Sequence, residues 1–283
     1  MSTLDLDFKY HLFNIHRFTE SEPMPRYEYV SEREYKPMKA ELTDIIRRAR
    51  KHVVEEDPEL DFEYRLIGSG GKNLITREIG GNRGYDFDYN LVIDAPEQGM
   101  KWVGKEVHRV FLNAFRQTVA GTPFKEPEES TSVLTIKKVD RRRKAVACSC
   151  DFAIVYYDPS GHHFLQYNKG NGGFGFQHRS FRYDVDGLAE EIRHADNGWN
   201  ELRDEYLRLK NADTQSKRSF VLYVEAVNNV HRRLLGSRPT PLDAYISLSL
   251  GGIGVYEPFR YSDSPVRGIY DIGSGRLLRR AES

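Results

Sequence analysis

The sequence predicts a mixed α/β (α+β) chain: a small mixed sheet flanked by helices, followed by a mainly helical half. Three observations predict it. Up to about residue 157, apolar runs with strand-like patterning alternate with runs of helical spacing. Beyond the glycine-rich stretch Asn168 to Gly175, from Val185 to Leu235, apolar residues recur at helical spacing. The composition is that of a globular protein: 283 residues, 39% hydrophobic, with 23 glycines. That is enough for one large domain or two small ones sharing a core.

The elements follow in order. The first 35 residues are poorly patterned. From Pro37 onward, Met38, Leu42, Ile45, Ile46, Ala49 and Val53 recur at helical spacing between Arg and Lys residues, which predicts an amphipathic helix ended by Glu55-Glu56-Asp57-Pro58. A strand over Phe62 to Ile67 is broken by Gly68-Ser69-Gly70-Gly71, and a second strand, Asp86 to Ile93, comes after another glycine-rich stretch. Trp102, Val103, Val107, Val110, Phe111, Ala114 and Val119 mark a second helix, closed by Gly121 and Pro123. Val133 to Val139 and Ala145 to Tyr157, joined by Asp140-Arg141-Arg142-Arg143-Lys144, read as an antiparallel hairpin with a basic turn.

In the second half, Val185, Leu188, Ile192, Ala195, Trp199, Leu202, Tyr206 and Leu209 form a long helical stripe, interrupted at Asn197-Gly198. A further helix covers roughly Lys217 to Leu235, with Phe220, Val224, Val227, Val230 and Leu234 on one face. Leu250 to Tyr256 reads as either a strand or a packed loop, and Arg276 to Ser283 as a frayed tail. The organisation is therefore a poorly patterned segment, 1–35; a core, 36–180; a helical half, 181–236; and a Gly/Pro/Ser-rich segment, 237–283.

Charge and cysteine usage narrow the function classes. Lys+Arg and Asp+Glu both number 42, so no global field attracts nucleic acid or membrane, and any binding patch must be local. The two cysteines, Cys148 and Cys150, sit about 7 Å apart on an expected strand, at the limit for a disulfide, and are expected to be free thiols. The polar start Met1-Ser2-Thr3-Leu4-Asp5 lacks the pattern of a signal peptide, and no stretch nears the ~20 apolar residues of a membrane span. A cytoplasmic protein with no membrane partner is the expectation.

The chemistry concentrates in three carboxylates. Asp86 and Asp88 are two apart on a strand, so both leave the same face while Phe87 and Tyr89 turn to the core. Asp151 lies in the apolar run Cys148 to Val155, where an ionised side chain is costly without a partner or solvent. If these strands are neighbours, a spacing of ~4.8 Å brings three carboxylates around two divalent ions. Oxygen ligands of this hardness select Mg2+ or Mn2+.

Upstream, Gly68 to Gly71 frees backbone N–H groups to face an anion, and the Ser69 hydroxyl adds a donor, which suits a polyphosphate. This is not a Walker loop, because Asn73 follows Lys72 and Leu66 stands where a glycine is required; nor is it a dinucleotide fingerprint.

A strand, Gly-Ser, a helical turn, a strand carrying Asp-x-Asp and a later strand with a third Asp resemble the DNA polymerase beta type nucleotidyltransferase superfamily. The matching residues are Gly68, Ser69, Asp86, Asp88 and Asp151, the likeness covers about residues 36 to 157, and the later helices resemble the helical half that completes the cleft in many members. The insertion Gly80-Gly81-Asn82-Arg83-Gly84 and Tyr85 before the first Asp depart from the pattern. No motif selects a branch, the bacterial cGAS-like and oligoadenylate synthase-like members among them.

The resemblance implies transfer of a nucleoside monophosphate from an NTP, with pyrophosphate released. The Gly-Ser loop holds the triphosphate, Asp86 and Asp88 bind the metals, and Asp151 joins them and helps deprotonate the attacking hydroxyl. The acceptor stays open among a small molecule, a protein, an RNA end and a second nucleotide, as does the oligomeric state. A non-catalytic binding or regulatory module of the same fold, antitoxin-like, is the alternative.

Among cations, Lys217 and Arg218, expected to start a helix facing the nucleotide, rank ahead of Lys72 and Lys169 as phosphate partners, together with Gly70 and Gly71 of the loop. Arg141 to Lys144 read as exposed charge at a sheet edge. Tyr157, Tyr183, Tyr206 and Tyr223 are stacking candidates, with Tyr206 placed in the core by its spacing, and His162 and His163 are expected in a turn.

Overall fold

The structure, a computed structural model, describes residues 26–170, 172–179 and 185–236, and the backbone of two strands at 268–271 and 276–280. Strand β1 (Tyr27–Tyr29) leads into helix α1 (Glu32–Glu56). Leu42, Ile45, Ile46, Ala49 and Val53 of α1 are buried, as their spacing predicts. The helix begins earlier than the Pro37 start read from the sequence. The Ser31 carbonyl accepts from the Glu34 and Tyr35 N–H groups, and buried Tyr35 anchors the first turn. Pro37 therefore lies inside the helix, in its second turn, where its missing N–H leaves the Arg33 carbonyl without the usual helical donor.

Strand β2 (Phe62–Ile67) is followed by a single helical turn, Gly68–Gly71, then β3 (Thr76–Glu78) and β4 (Tyr85–Ile93). Helix α2 (Gly104–Val119) precedes β5 (Glu128–Glu129), β6 (Leu134–Asp140) and the long β7 (Ala145–Asp158). The main sheet runs β2-β4-β7-β6-β5, with the second half of β7 pairing β8 (Gly161–Asn168), which pairs β9 (Gly173–Arg179). Strands β4 and β7 are parallel; β2/β4 and β6/β7 are antiparallel. The mixed sheet expected from the sequence is present, and β6 and β7 form the expected hairpin.

One face of this sheet is covered by α1 and α2. Phe87, Tyr89, Phe152 and Ile154 from the strands pack with Ile46, Phe111 and Phe115 from the helices in one core. Burying each such side chain is worth roughly 1.5 to 3 kcal/mol, so this face fixes the register of β4 and β7. Cys148 and Cys150 belong to the same core as free thiols, and burial raises both well above the usual thiol range, which leaves them poor nucleophiles.

Besides the short β1, β3 and β5, the sequence reading did not find β8 and β9. His162 and His163 lie on β8, not in a turn. The turn closes sooner because the Asp158 carboxylate accepts from the Ser160 N–H at 2.8 Å and the Gly161 N–H at 3.1 Å. The glycine-rich stretch conceals β9, where alternate Phe174 and Phe176 face the main core.

The helical half consists of α3 (Val185–His194), α4 (Gly198–Ala212) and α5 (Ser219–Leu235) around a second core of Leu188, Ile192, Leu202, Tyr206, Val224 and Val227. The predicted interruption is real: Asn197 turns left-handed at φ 56° between α3 and α4. Beyond it, β10 (Gly268–Asp271) pairs antiparallel with β11 (Arg276–Arg280), so part of the segment expected to fray is in a strand hairpin. Leu250 to Tyr256 lies outside the described residues. No helix among the described residues is long and apolar enough to cross a membrane.

Candidate active site

The site follows from the register of three strands. Asp88 pairs with Ile67, the last residue of β2, on one side and with Asp151 on the other; Asp86 pairs with Ser149. Because Phe87, Tyr89, Cys150 and Phe152 face the helices, Asp86, Asp88 and Asp151 leave the opposite face of the sheet together. Thr135, opposite Asp151 on β6, donates to Asp151 Oδ1 at 2.6 Å, and Ser149 Oγ donates to Asp86 Oδ1.

Crowding of like charge shows in the proton affinities. Burial first, then the charges of Asp151 and Asp86, push the Asp88 carboxyl up to about 7. Burial also raises Asp151, against the Thr135 hydrogen bond that holds it down. Asp86 is exposed.

As the side chains stand, no three His, Cys, Asp or Glu among the described residues enclose a metal, since Asp86 is turned to Ser149 and Asp151 to Thr135. The donor set nevertheless fits a hard divalent cation. Burial and neighbouring carboxylate charge raise the proton affinity of Asp88 and Asp151, which a cation would relieve. Two residues along the same face from Asp88, Asn90 is buried with its Oδ1 unpartnered among the described residues.

The Gly68–Gly71 turn meets the carboxylates directly. Gly68 has φ +60°, and a Cβ there would come within 2.4 Å of Asp88 Oδ2, so only glycine allows the chain to pass so close. The freedom expected at Gly70 and Gly71 has another basis: neither has positive φ, and their Cβ positions point at Leu66 and Phe87 and at the Leu66 carbonyl. The segment is thus a packed helical turn. Ser69 is held by its carbonyl, which accepts from the Leu74 N–H at 2.9 Å.

Lys217 and Arg218 precede α5, which starts at Ser219, and Lys217 Nζ lies 3.2 Å from Glu225 Oε2. Lys72 reaches Asp186 at 3.3 Å, and Lys169 lies in the β8–β9 turn. The residue the sequence reading missed is Lys210 on α4. Burial lowers its ammonium to about 8, opposed by the Asp86 carboxylate, and its Nζ donates to Thr76 Oγ1 at 2.6 Å. Tyr206, one helical turn earlier, is buried as expected; burial raises its hydroxyl to about 12, against the hydroxyls of Ser219 and Thr76 and with a further push from Asp88. The one signal in the sequence was their i, i+4 spacing, which puts Lys210 on the same helix face as core residue Tyr206.

Tyr157 accepts from Asn90 Nδ2 at 3.2 Å, and Tyr223 is buried in the helical core; Tyr183 lies outside the described residues. Arg141 to Lys144 are exposed at the β6–β7 turn.

No protein-family model and no curated protein matches the chain. Solved structures do. The GTP-bound form of DncV from Vibrio cholerae aligns at a TM-score of 0.54 and 14% identity over 76% of this chain and 69% of that one. The same protein, described as a cyclic AMP-GMP synthase in complex with the linear intermediate pppA(3′,5′)pG, aligns at 0.51 and 11% over 78% and 72%. At that identity the likeness is one of fold. The chain, mixed sheet and helical half together, has the fold of DncV, a cGAS-like nucleotidyltransferase of the DNA polymerase beta superfamily.

Proposed function

We propose that this protein is a divalent-metal-dependent nucleotidyltransferase that moves a nucleoside monophosphate from an NTP to a hydroxyl acceptor and releases pyrophosphate. The observation that carries the reading is the register that sets Asp88 beside Asp151 on parallel strands while Gly68 packs against the Asp88 carboxylate. An acidic cluster beside a turn rich in backbone N–H groups is complementary to a triphosphate accompanied by cations. Mg2+ or Mn2+, held by Asp86, Asp88 and Asp151, would supply charge to offset that building on the attacking and leaving oxygens.

The chain's own residues do the rest. Ser69 and the turn's N–H groups hold the β- and γ-phosphates, and Lys210 adds a positive charge from the helical side. The acceptor oxygen bonds to the α-phosphorus as the bond to the bridging oxygen breaks. The electron pair leaves with pyrophosphate, and the acceptor's proton passes to Asp151, which the strand register sets beside Asp88. Core 36–180 carries this chemistry, and 181–236 completes the cleft.

For the acceptor, we favour a second nucleotide among the classes left open, supported by the fold shared with DncV, whose structures hold GTP and a linear dinucleotide intermediate. The test is incubation with mixed NTPs and Mg2+, followed by pyrophosphate assay and mass spectrometry. The expected result is pyrophosphate with a phosphodiester-linked nucleotide product. NTP binding without pyrophosphate release would instead make the protein a binding module.

A further inference from the structure

Residues 72–76, directly after the Gly68–Gly71 turn, are gripped by all three helices of the helical half. Lys72 Nζ lies 3.3 Å from Asp186 Oδ1 of α3 and 5.2 Å from the centre of the Tyr223 ring of α5. Arg203 of α4 donates from Nη1 to the Asn73 carbonyl, with its guanidinium 4.1 Å from the Tyr29 ring centre and its own carbonyl accepting from Tyr29 Oη at 2.7 Å. Leu74 is 1% exposed and sits in the helical core, apart from its sequence neighbour Ile75, which sits in the sheet core. Asn73 is left-handed at φ 56°, and its side chain accepts from Tyr35 Oη of α1 at 3.1 Å.

This segment returns its position to the turn through two backbone bonds, from the Leu74 N–H to the Ser69 carbonyl at 2.9 Å and from the Asn73 N–H to the Gly70 carbonyl at 3.5 Å. A lysine this deeply placed beside a carboxylate adds little net stability, because desolvation cancels much of the attraction; what such a pair fixes is geometry. The left-handed Asn73 also needs surrounding contacts to hold it.

We infer that residues 72–76 are a clasp: they keep Ser69 and its turn in the phosphate-accepting shape only while α3, α4 and α5 are docked, so that NTP binding and docking of the helical half are one linked equilibrium. Lys72 and Arg203 are positioning residues, acting through Asn73 and Leu74. The linkage rests on the nucleotide reading of the turn, whereas the clasp itself does not. Reciprocity requires that NTP shift the docking equilibrium of the helical half by the factor by which docking improves NTP affinity.

Hydrogen exchange and calorimetry on the full chain test this, with Ca2+ to support binding while slowing chemistry, and with Lys72→Met and Arg203→Met as separate variants. Either variant is expected to speed exchange at the Leu74 amide at least tenfold, leaving the β4 and β7 amides unchanged. NTP affinity is expected to fall about tenfold and NMP affinity to stay within twofold, since NMP lacks the phosphates the turn holds. Arg203→Lys, which keeps a donor for the Asn73 carbonyl, is expected to recover most of both effects. A merely structural role would lower NTP and NMP affinity together. Unchanged Leu74 exchange in both variants, or equal losses of NTP and NMP affinity, would overturn the clasp. A wild-type protein that binds no NTP would overturn the linkage along with the nucleotide reading, and the Leu74 exchange alone would then decide whether the clasp exists.

Discussion

On the sheet side of the site, the groups assigned to chemistry come from short stretches of two adjacent strands and one turn: backbone pairing sets Asp88 beside Asp151 and Asp86 beside Ser149, and Gly68 packs against the Asp88 side chain. On the helical side, Lys210 and Tyr206 reach the same place only because α4 packs across β1 and β3, where Asn211 brackets Tyr27 by bonds of 2.7 and 3.2 Å and Lys210 bonds Thr76. The sheet side is rigid by pairing and the helical side is placed by docking. Substitutions on the first should therefore strike chemistry, and those on the second should strike affinity.

The largest effect is expected at the carboxylates. Asp86→Asn and Asp151→Asn should each lower turnover by on the order of a thousandfold, the several kcal/mol that cation-assisted charge stabilisation supplies. Calorimetry with NTP and Ca2+ should separate the two, with Asp151→Asn keeping more affinity than Asp86→Asn. Equal losses would make Asp151 an ordinary shared ligand and not a base.

Next comes the turn. Gly68→Ala places a methyl into Asp88 Oδ2 at a left-handed position, and a displacement of about 1 Å at reacting groups costs roughly a hundredfold in rate. Gly80→Ala is the control from the second glycine-rich stretch: φ is also positive, at +70°, but nothing lies within 4 Å, so it should cost about 1 kcal/mol of stability and no activity. Similar kinetics for the two variants would remove the distinction between the packed turn and the open one.

A smaller effect is expected across the site. Lys210→Met removes a charge-assisted contact of about 1.5 to 3 kcal/mol, at least tenfold in NTP affinity, with little change in rate at saturation. A fall in the saturated rate with affinity intact would move Lys210 from the binding side to the chemical side.

Smallest is a stability effect in protein stripped of metal. The Asp88 carboxyl is raised from 3.8 to about 7, so the native state binds the extra proton and stability falls as pH rises through about 4 to 7. Asp88→Asn has no charge to bury and should be more stable than the parent above pH 7, on the order of 1 to 3 kcal/mol, with the advantage gone near pH 4. Urea denaturation in chelator at both pH values checks this, and a variant less stable than the parent at pH 8 would contradict the crowded-carboxylate picture.

What the sequence disclosed follows the same division. Phe62–Ile67, the Asp-x-Asp strand and the basic hairpin were readable because a period of two and a turn are local signals, and Asp151 stood out as a charge in an apolar run. Strand β9 was hidden because its glycines mimic a loop and its pattern has meaning only against the core it faces. Lys210 was hidden because a lysine on an amphipathic helix looks like solvated surface until the helix is docked. Lys217 was singled out for its place near a helix start, yet its charge meets Glu225.

On this reading the three carboxylates on β4 and β7 serve nucleotidyl transfer. The most direct measurement is pyrophosphate release from mixed NTPs with Mg2+, comparing the parent protein with Asp88→Asn at pH 8, folding of both verified by circular dichroism. Steady release by the parent and a loss of about a thousandfold in the variant are expected; equal release by the two proteins would rule out a role for the carboxylates in the transfer.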